Sequence, residues 1–172
     1  MGNRGIGHRT LICCAHCTSI PTDPPKSSER ALAVILDEHR SIAAVVRGMR
    51  DLVQHAQASD IAPDLASLEA MLAYLQAFSL QLHHPKEEVY LHRRLRERLP
   101  ESEPLLQEIE GQHVREHALV AETLASLKAA KAEDAAATAA LVDRVSMLAD
   151  AVVHHIGLEE RSGAAGGTAA LA

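Results

Sequence analysis

The chain has 172 residues but no tryptophan, two tyrosines and one phenylalanine. β-Sandwiches and barrels draw on aromatic and β-branched residues, so an all-β fold is disfavoured. No run of about 18 apolar residues exists, and no membrane-spanning helix is expected. Cysteine is scarce too. Its three copies, Cys13, Cys14 and Cys17, form one odd cluster near the start. Such a cluster builds no disulfide framework, and a reducing cytoplasm is the expected compartment. Basic residues are outnumbered, 17 against 23 acidic, for a formal net charge of −6. That balance argues against a partner whose phosphates must be tracked, so no nucleic acid is expected. The apolar stretch Leu11 to Ala15 is too short for a signal peptide. Ile6 stands where a myristoylation signal needs Ser or Thr.

What is abundant points to helices. Hydrophobic residues make up 47% of the chain, with 30 alanines and 22 leucines. That is enough apolar material for the core of one domain. Residues 1–26 carry Gly2, Gly5, Gly7, Pro21, Pro24 and Pro25, and read as a disordered or non-native tail. From Ser27 the pattern becomes helical. A first helix spans about 28–57, with Leu32, Ile35, Leu36, His39, Ile42, Val46, Met49 and Val53 on one face. A second spans about 64–99 through Leu68, Leu72, Leu75, Ser79, Leu82 and His83, opened by Pro63 and interrupted by Pro85. A third spans about 104–132 through Leu106, Ile109, His113, His117, Val120, Leu124 and Leu127, with Ser102 as its expected cap. A fourth spans about 134–160 through Leu141, Val145, Leu148, Val152, His155 and Glu159. After Arg161 the Gly-rich segment 162–172 reads as a flexible tail. Four such helices joined by short turns predict an all-α, antiparallel up-down-up-down bundle over 27–161.

The unusual figure is 11 histidines. Histidine falls on the apolar stripe of every predicted helix: His39, His83, His113 with His117, and His155. His83 is followed four residues later by Glu87, and His155 by Glu159. A four-residue step returns to the same helix face, so each pair points one way. Five imidazoles and two carboxylates converging inward suit two ions of a borderline metal such as Fe or Mn better than a single four-coordinate Zn. Burying them with nothing to bind is costly. His84 and His154 lie about 100° from their neighbours and read as flanking or surface residues, with His84 and Glu88 as the alternative pair to His83 and Glu87. Glu160 is the alternative to Glu159. His8, His16, His55 and His92 read as solvent-facing.

The segments Leu36-Asp37-Glu38-His39, His83-His84-Pro85-Lys86-Glu87-Glu88, Glu110-Gly111-Gln112-His113 and His155-Ile156-Gly157-Leu158-Glu159-Glu160 resemble the hemerythrin-like (HHE cation-binding) family over about residues 30–160. The resemblance implies a non-haem di-iron centre in a four-helix bundle, binding O₂ or a related diatomic such as NO. It implies His39, His83, His113, His117 and His155 as terminal ligands, and Glu87 and Glu159 as bridging ones. His117 matches the second histidine of the His-x3-His pair of oxygen-carrying relatives. The expectation is a binding protein with no turnover required. Two alternatives are an oxidoreductase or iron donor in nitric-oxide, peroxide or cluster-repair chemistry, and a bundle that has lost its metal. Arg161-Ser162-Gly163 replaces the apolar run usual after the last ligand, so the fourth helix is expected to end near Glu160.

Overall fold

A computed structural model describes residues 27–131 and 135–170, with side chains for 30–131 and 136–162. The expected tail 1–26, with its three cysteines, His8 and His16, lies outside the described residues. Helix α1 spans Ser27–Ser59. A second rod is composite: α2 Leu65–Tyr74, a π-helical stretch Leu75–His83, α3 His84–Lys86, a second π-helical stretch Glu87–His92, and α4 Arg93–Arg98. A 3₁₀ turn, Pro100–Ser102, leads into α5 Glu103–Ala130, and α6 spans Ala135–Ala170. No strand occurs among the described residues.

Each helix packs beside the next in chain order, and α6 closes the ring against α1. Neighbours run antiparallel. Glu38 near the start of α1 meets Lys86 late in the second rod. Glu69 near the start of that rod meets Lys131 at the end of α5. Arg50 of α1 pairs with Asp150 of α6. This is the expected up-down-up-down four-helix bundle.

Three rods carry to the interior a seam of alternating three- and four-residue steps, with further buried residues beside it. On α1 the seam is His39, Ile42, Val46, Met49, Val53 and Ala56, with Ala43 buried beside it; on α5 it runs from Leu106 and Ile109 through His113, Glu116, Val120, Thr123, Leu127 to Ala130, with Gln112 beside it. On α6 it is Leu141, Val145, Leu148, Val152 and His155, with Val142, Ala149 and Ile156 buried beside it. An average step of 3.5 keeps one seam facing the partners along a whole helix.

The second rod starts in the same way with Leu68, Leu72 and Leu75, and then departs. In a π turn the backbone bond reaches back five residues rather than four, so a turn holds one more residue. The His84 N–H accordingly bonds the carbonyl of Ser79. Along these stretches Ser79 with Leu80, and His83 with His84, are buried as adjacent pairs, as Ile42 with Ala43 and Leu141 with Val142 are on the regular helices. Leu82, expected inside from an undisturbed helical step, is 55% exposed. Pro85, which has no N–H to give, sits in the short α3 between the two wide stretches.

Three local expectations are corrected. Pro63 does not open the second rod; Asp64 caps it, its carboxylate accepting from the N–H groups of Ala66 and Ser67. Ser102 does not cap α5 through its side chain, because its hydroxyl donates to the Leu99 carbonyl. The backbone of α6 continues past Glu160 to Ala170. The segment after Arg161 holds no proline, and its alanines offset the modest helix cost of its glycines.

Candidate metal centre

The interior has two ends. The end built by the later turns of α1 and α5 and the first turns of the second rod and α6 is aliphatic. At the opposite end the same helical steps bring His39, His83, His84, Glu87, His113, Glu116 and His155 inside, all at 3% exposure or less. Glu159 lies at their edge, with 9% of its side chain exposed.

Glu87 is the hub. Its Oε1 lies 3.2 Å from His39 Nε2 and 3.3 Å from His83 Nε2. Its Oε2 faces the other way, 3.6 Å from His113 Nε2. Glu159 is divided similarly: Oε2 is 3.1 Å from His39 Nε2 and 3.5 Å from His155 Nε2, and Oε1 is 3.9 Å from His113 Nε2. Two four-residue groups result, each with donor atoms within 4.8 Å of one another: His39, His83, Glu87 and Glu159; and Glu87, His113, His155 and Glu159. They share both carboxylates.

The outer nitrogens of three rings are held in place. Nδ1 of His83 bonds Glu38 at 2.9 Å, Nδ1 of His113 bonds Glu88 at 2.9 Å, and Nδ1 of His155 meets the Gln112 side-chain oxygen at 3.1 Å. Lys86 in turn holds Glu38. An acceptor on the outer nitrogen fixes the ring and its tautomer, and leaves the inner nitrogen for a cation. The inner side is where polar atoms lack partners. His113 Nε2, His155 Nε2, Glu87 Oε2 and both oxygens of Glu159 are buried without a hydrogen bond. Unpaired buried carboxylate oxygens cost several kcal/mol. One or two cations between the shared carboxylates would satisfy all five atoms, so the donor set fits metal.

The electrostatics carry the same pattern. Burial pushes Glu159 up to about 7. Burial opposes charge on His39 as well, but the Glu159 and Glu87 carboxylates outweigh it and hold the ring at about 10. His113 is likewise held at about 9, by Glu87 and Glu88 against burial. Glu87 faces the opposite balance: burial would raise it, and the imidazoles of His113, His39 and His83 depress it well below the carboxylate range. His155 and His84 are driven down, to about 3 and about 2, by burial and by the neighbouring His113. Protonated His39 and His113 therefore flank Glu87, which stays ionised between them.

Six of the seven residues singled out from the sequence meet at this centre: His39, His83, Glu87, His113, His155 and Glu159. The seventh, His117, is a correction. It is exposed, and faces a groove of about 250 Å³ lined by Gln76, Leu80, Gln81, Val120, Ala121 and Leu124. The three- and four-residue alternation on α5 carries Glu116, one residue earlier, to the inside instead. His92 is a second correction, because it is buried rather than solvent-facing. Its ring lies 6.0 Å from that of His113 and its Nδ1 is 3.4 Å from Glu110. Arg96 clamps Glu110 and Glu103 outside it. Of the sequence alternatives, Glu160 is largely exposed, 3.6 Å from His39 Nδ1, and Glu88 lies against His113 rather than His84. His55 and His154 are exposed, as expected.

A family model described as the hemerythrin HHE cation binding domain matches residues 30–162. The chain belongs to the hemerythrin HHE domain family. The match begins early in α1 and ends just beyond Glu159, so it takes in the whole bundle and every residue of the centre. Comparison with curated proteins and with solved structures finds no significant match. This HHE domain is a helical domain whose His/Glu groups can hold metal. No helix among its described residues is long and apolar enough to cross a membrane.

Proposed function

We propose that this HHE domain is a cytoplasmic di-iron protein that binds O₂ or a related diatomic such as NO, without turnover. The observation that carries this reading is the sharing of Glu87 and Glu159 between two donor groups. On it, His39 and His83 would hold one ion and His113 and His155 the other, with Glu87 and Glu159 available to both. Nitrogen and carboxylate donors together suit iron, and manganese next, better than the thiolate-seeking metals. An iron pair supplies a redox-active, Lewis-acidic position at which a diatomic coordinates.

The chain's own groups do the rest. Glu38, Glu88 and Gln112 keep three rings aimed inward. Leu106 and Ile109 on one side of His113, and Val120 on the other, are buried beside it along α5 and keep bulk water out. Lys86 balances Glu38 at the rim.

The reading is tested by reconstituting the purified protein with ferrous iron without air, then admitting O₂ or NO. A new charge-transfer absorption that reverses when the gas is removed supports a binder. Absorption that appears only with consumption of repeated equivalents of peroxide or NO favours an oxidoreductase. No iron uptake would identify a bundle that has lost its metal.

A further inference from the structure

We propose that Gln112 is a positioning residue that holds His155 in one tautomer without lending it charge, and so favours the ferrous state of the ion that His113 and His155 would take. The inference rests on the iron reading above and concerns how the chain tunes that iron. His83 and His113 each set their outer nitrogen against a carboxylate at 2.9 Å, Glu38 and Glu88 respectively. His155 alone of the three anchored rings meets an amide, its Nδ1 lying 3.1 Å from Gln112 Oε1.

Which atom of that amide faces the ring follows from its far side. Gln112 Nε2 donates to Glu108 Oε1 at 2.8 Å, and the same oxygen accepts from Arg115 at 3.0 Å. An ionised carboxylate only accepts, so the amide nitrogen must face Glu108 and the amide oxygen must face His155. That oxygen in turn requires a proton on His155 Nδ1. In the uncharged ring a proton on Nδ1 leaves Nε2 bare. Nε2 is the buried atom without a hydrogen bond, 3.5 Å from Glu159 Oε2.

The nature of the acceptor then sets the strength of the ligand. A carboxylate on the outer nitrogen draws on its proton and makes the inner nitrogen a stronger donor, which favours the ferric state. An amide fixes the ring as well but draws less. Gln112 is buried, so water does little to level the difference. A protein that binds a diatomic without turnover must return to the ferrous state after each encounter, and the weaker donor favours that state. Glu108, exposed on the rim of α5, keeps the charge one turn away from the ring.

The experiment moves that carboxylate inward at constant net charge. In Gln112→Glu/Glu108→Gln the acceptor on His155 becomes a carboxylate and the rim residue becomes the amide that donates to it; Gln112→Leu removes the acceptor altogether. Nitrogen-15 NMR of the metal-free protein reads the His155 tautomer, cobalt(II) titration reads affinity, a spectroelectrochemical titration of the iron-loaded protein reads midpoint potentials, and circular dichroism checks the helices. Wild type should carry its His155 proton on Nδ1. The exchanged pair should keep that tautomer, bind one of two cobalt ions at least about tenfold more tightly and lower one iron potential. Gln112→Leu should lose the single tautomer and bind that ion at least about tenfold more weakly. A folded exchanged pair with wild-type affinity and potential would overturn the proposal, as would a wild-type His155 protonated on Nε2. A wild-type protein with the Nδ1 tautomer that takes up neither cobalt nor iron would overturn the iron reading instead.

Discussion

The two ends of the bundle interior are built on the same helices, in the same register, and solve opposite problems. The aliphatic end closes on itself. Val46, Met49, Val53, Leu68, Leu72, Val120, Leu127, Leu141, Val145 and Leu148 need nothing but one another. Fully burying each side chain of this kind is worth about 1.5–3 kcal/mol, so this end carries the stability. The titratable end is incomplete by the same standard. Five of its buried donor atoms on Glu87, Glu159, His113 and His155 face inward unpaired. The difference teaches where specificity resides. Stability is concentrated in one half of the bundle, and that half can carry a costly, cation-seeking cluster in the other.

The comparison is broken most severely by Glu87→Gln. Glu87 is common to both donor groups, so its loss should remove both ions while leaving the helical spectrum intact; metal analysis and circular dichroism read the two effects. Retention of two ions would place the hub elsewhere. Leu148→Ala is the mirror experiment. It should cost about 2–5 kcal/mol in chemical denaturation and leave ion stoichiometry unchanged in the folded protein. Loss of ions with little loss of stability would show that the two ends are not separable.

A third experiment sharpens the electrostatic side. His39 and His113 are held at about 10 and about 9. Both rings are therefore protonated near neutrality, and an entering cation must displace those protons. Affinity should fall as pH falls below about 9, by about a hundredfold per unit if about two protons leave, and level off above about 10. Loading should acidify a weakly buffered solution by the same count. Burial of Glu159 to about 7 adds a further proton on the acid side. Affinity independent of pH between about 7 and about 8.5 would show that the protons are not where the carboxylates place them. His117→Ala is the smallest effect. As an exposed residue it should change stability by less than about 0.5 kcal/mol and leave ion content unaltered.

Much of this arrangement was legible in the sequence. The four rods followed from leucine, isoleucine and valine at helical spacing, and the His-x3-Glu pairs put imidazole and carboxylate on one face. What was missed has two physical causes. On α5 the interior seam passes through Glu116 and Thr123, which do not look like core residues. The apolar and histidine signal pulled the reading to His117 and Leu124, one residue away on the same side. The unbroken alternation of steps from Leu106 to Ala130 was the signal that could have found Glu116. On the second rod, Ser79, His83 and Glu87 kept their expected places, while Leu80, His84 and His92 came inside beside them along the wider π turns. Pro85 announces trouble with an ordinary helix, but the residues around it do not say whether the answer is a kink or a wider turn.

The most direct test of the shared-carboxylate centre is metal content with metal–metal distance. The full chain is reconstituted with ferrous iron without air, freed of loose metal, and measured by elemental analysis and X-ray absorption. Two irons per chain are expected, with an iron–iron vector of about 3.5–4 Å and mixed nitrogen and oxygen ligation. One iron per chain, or two with no iron–iron vector, would contradict the sharing of Glu87 and Glu159.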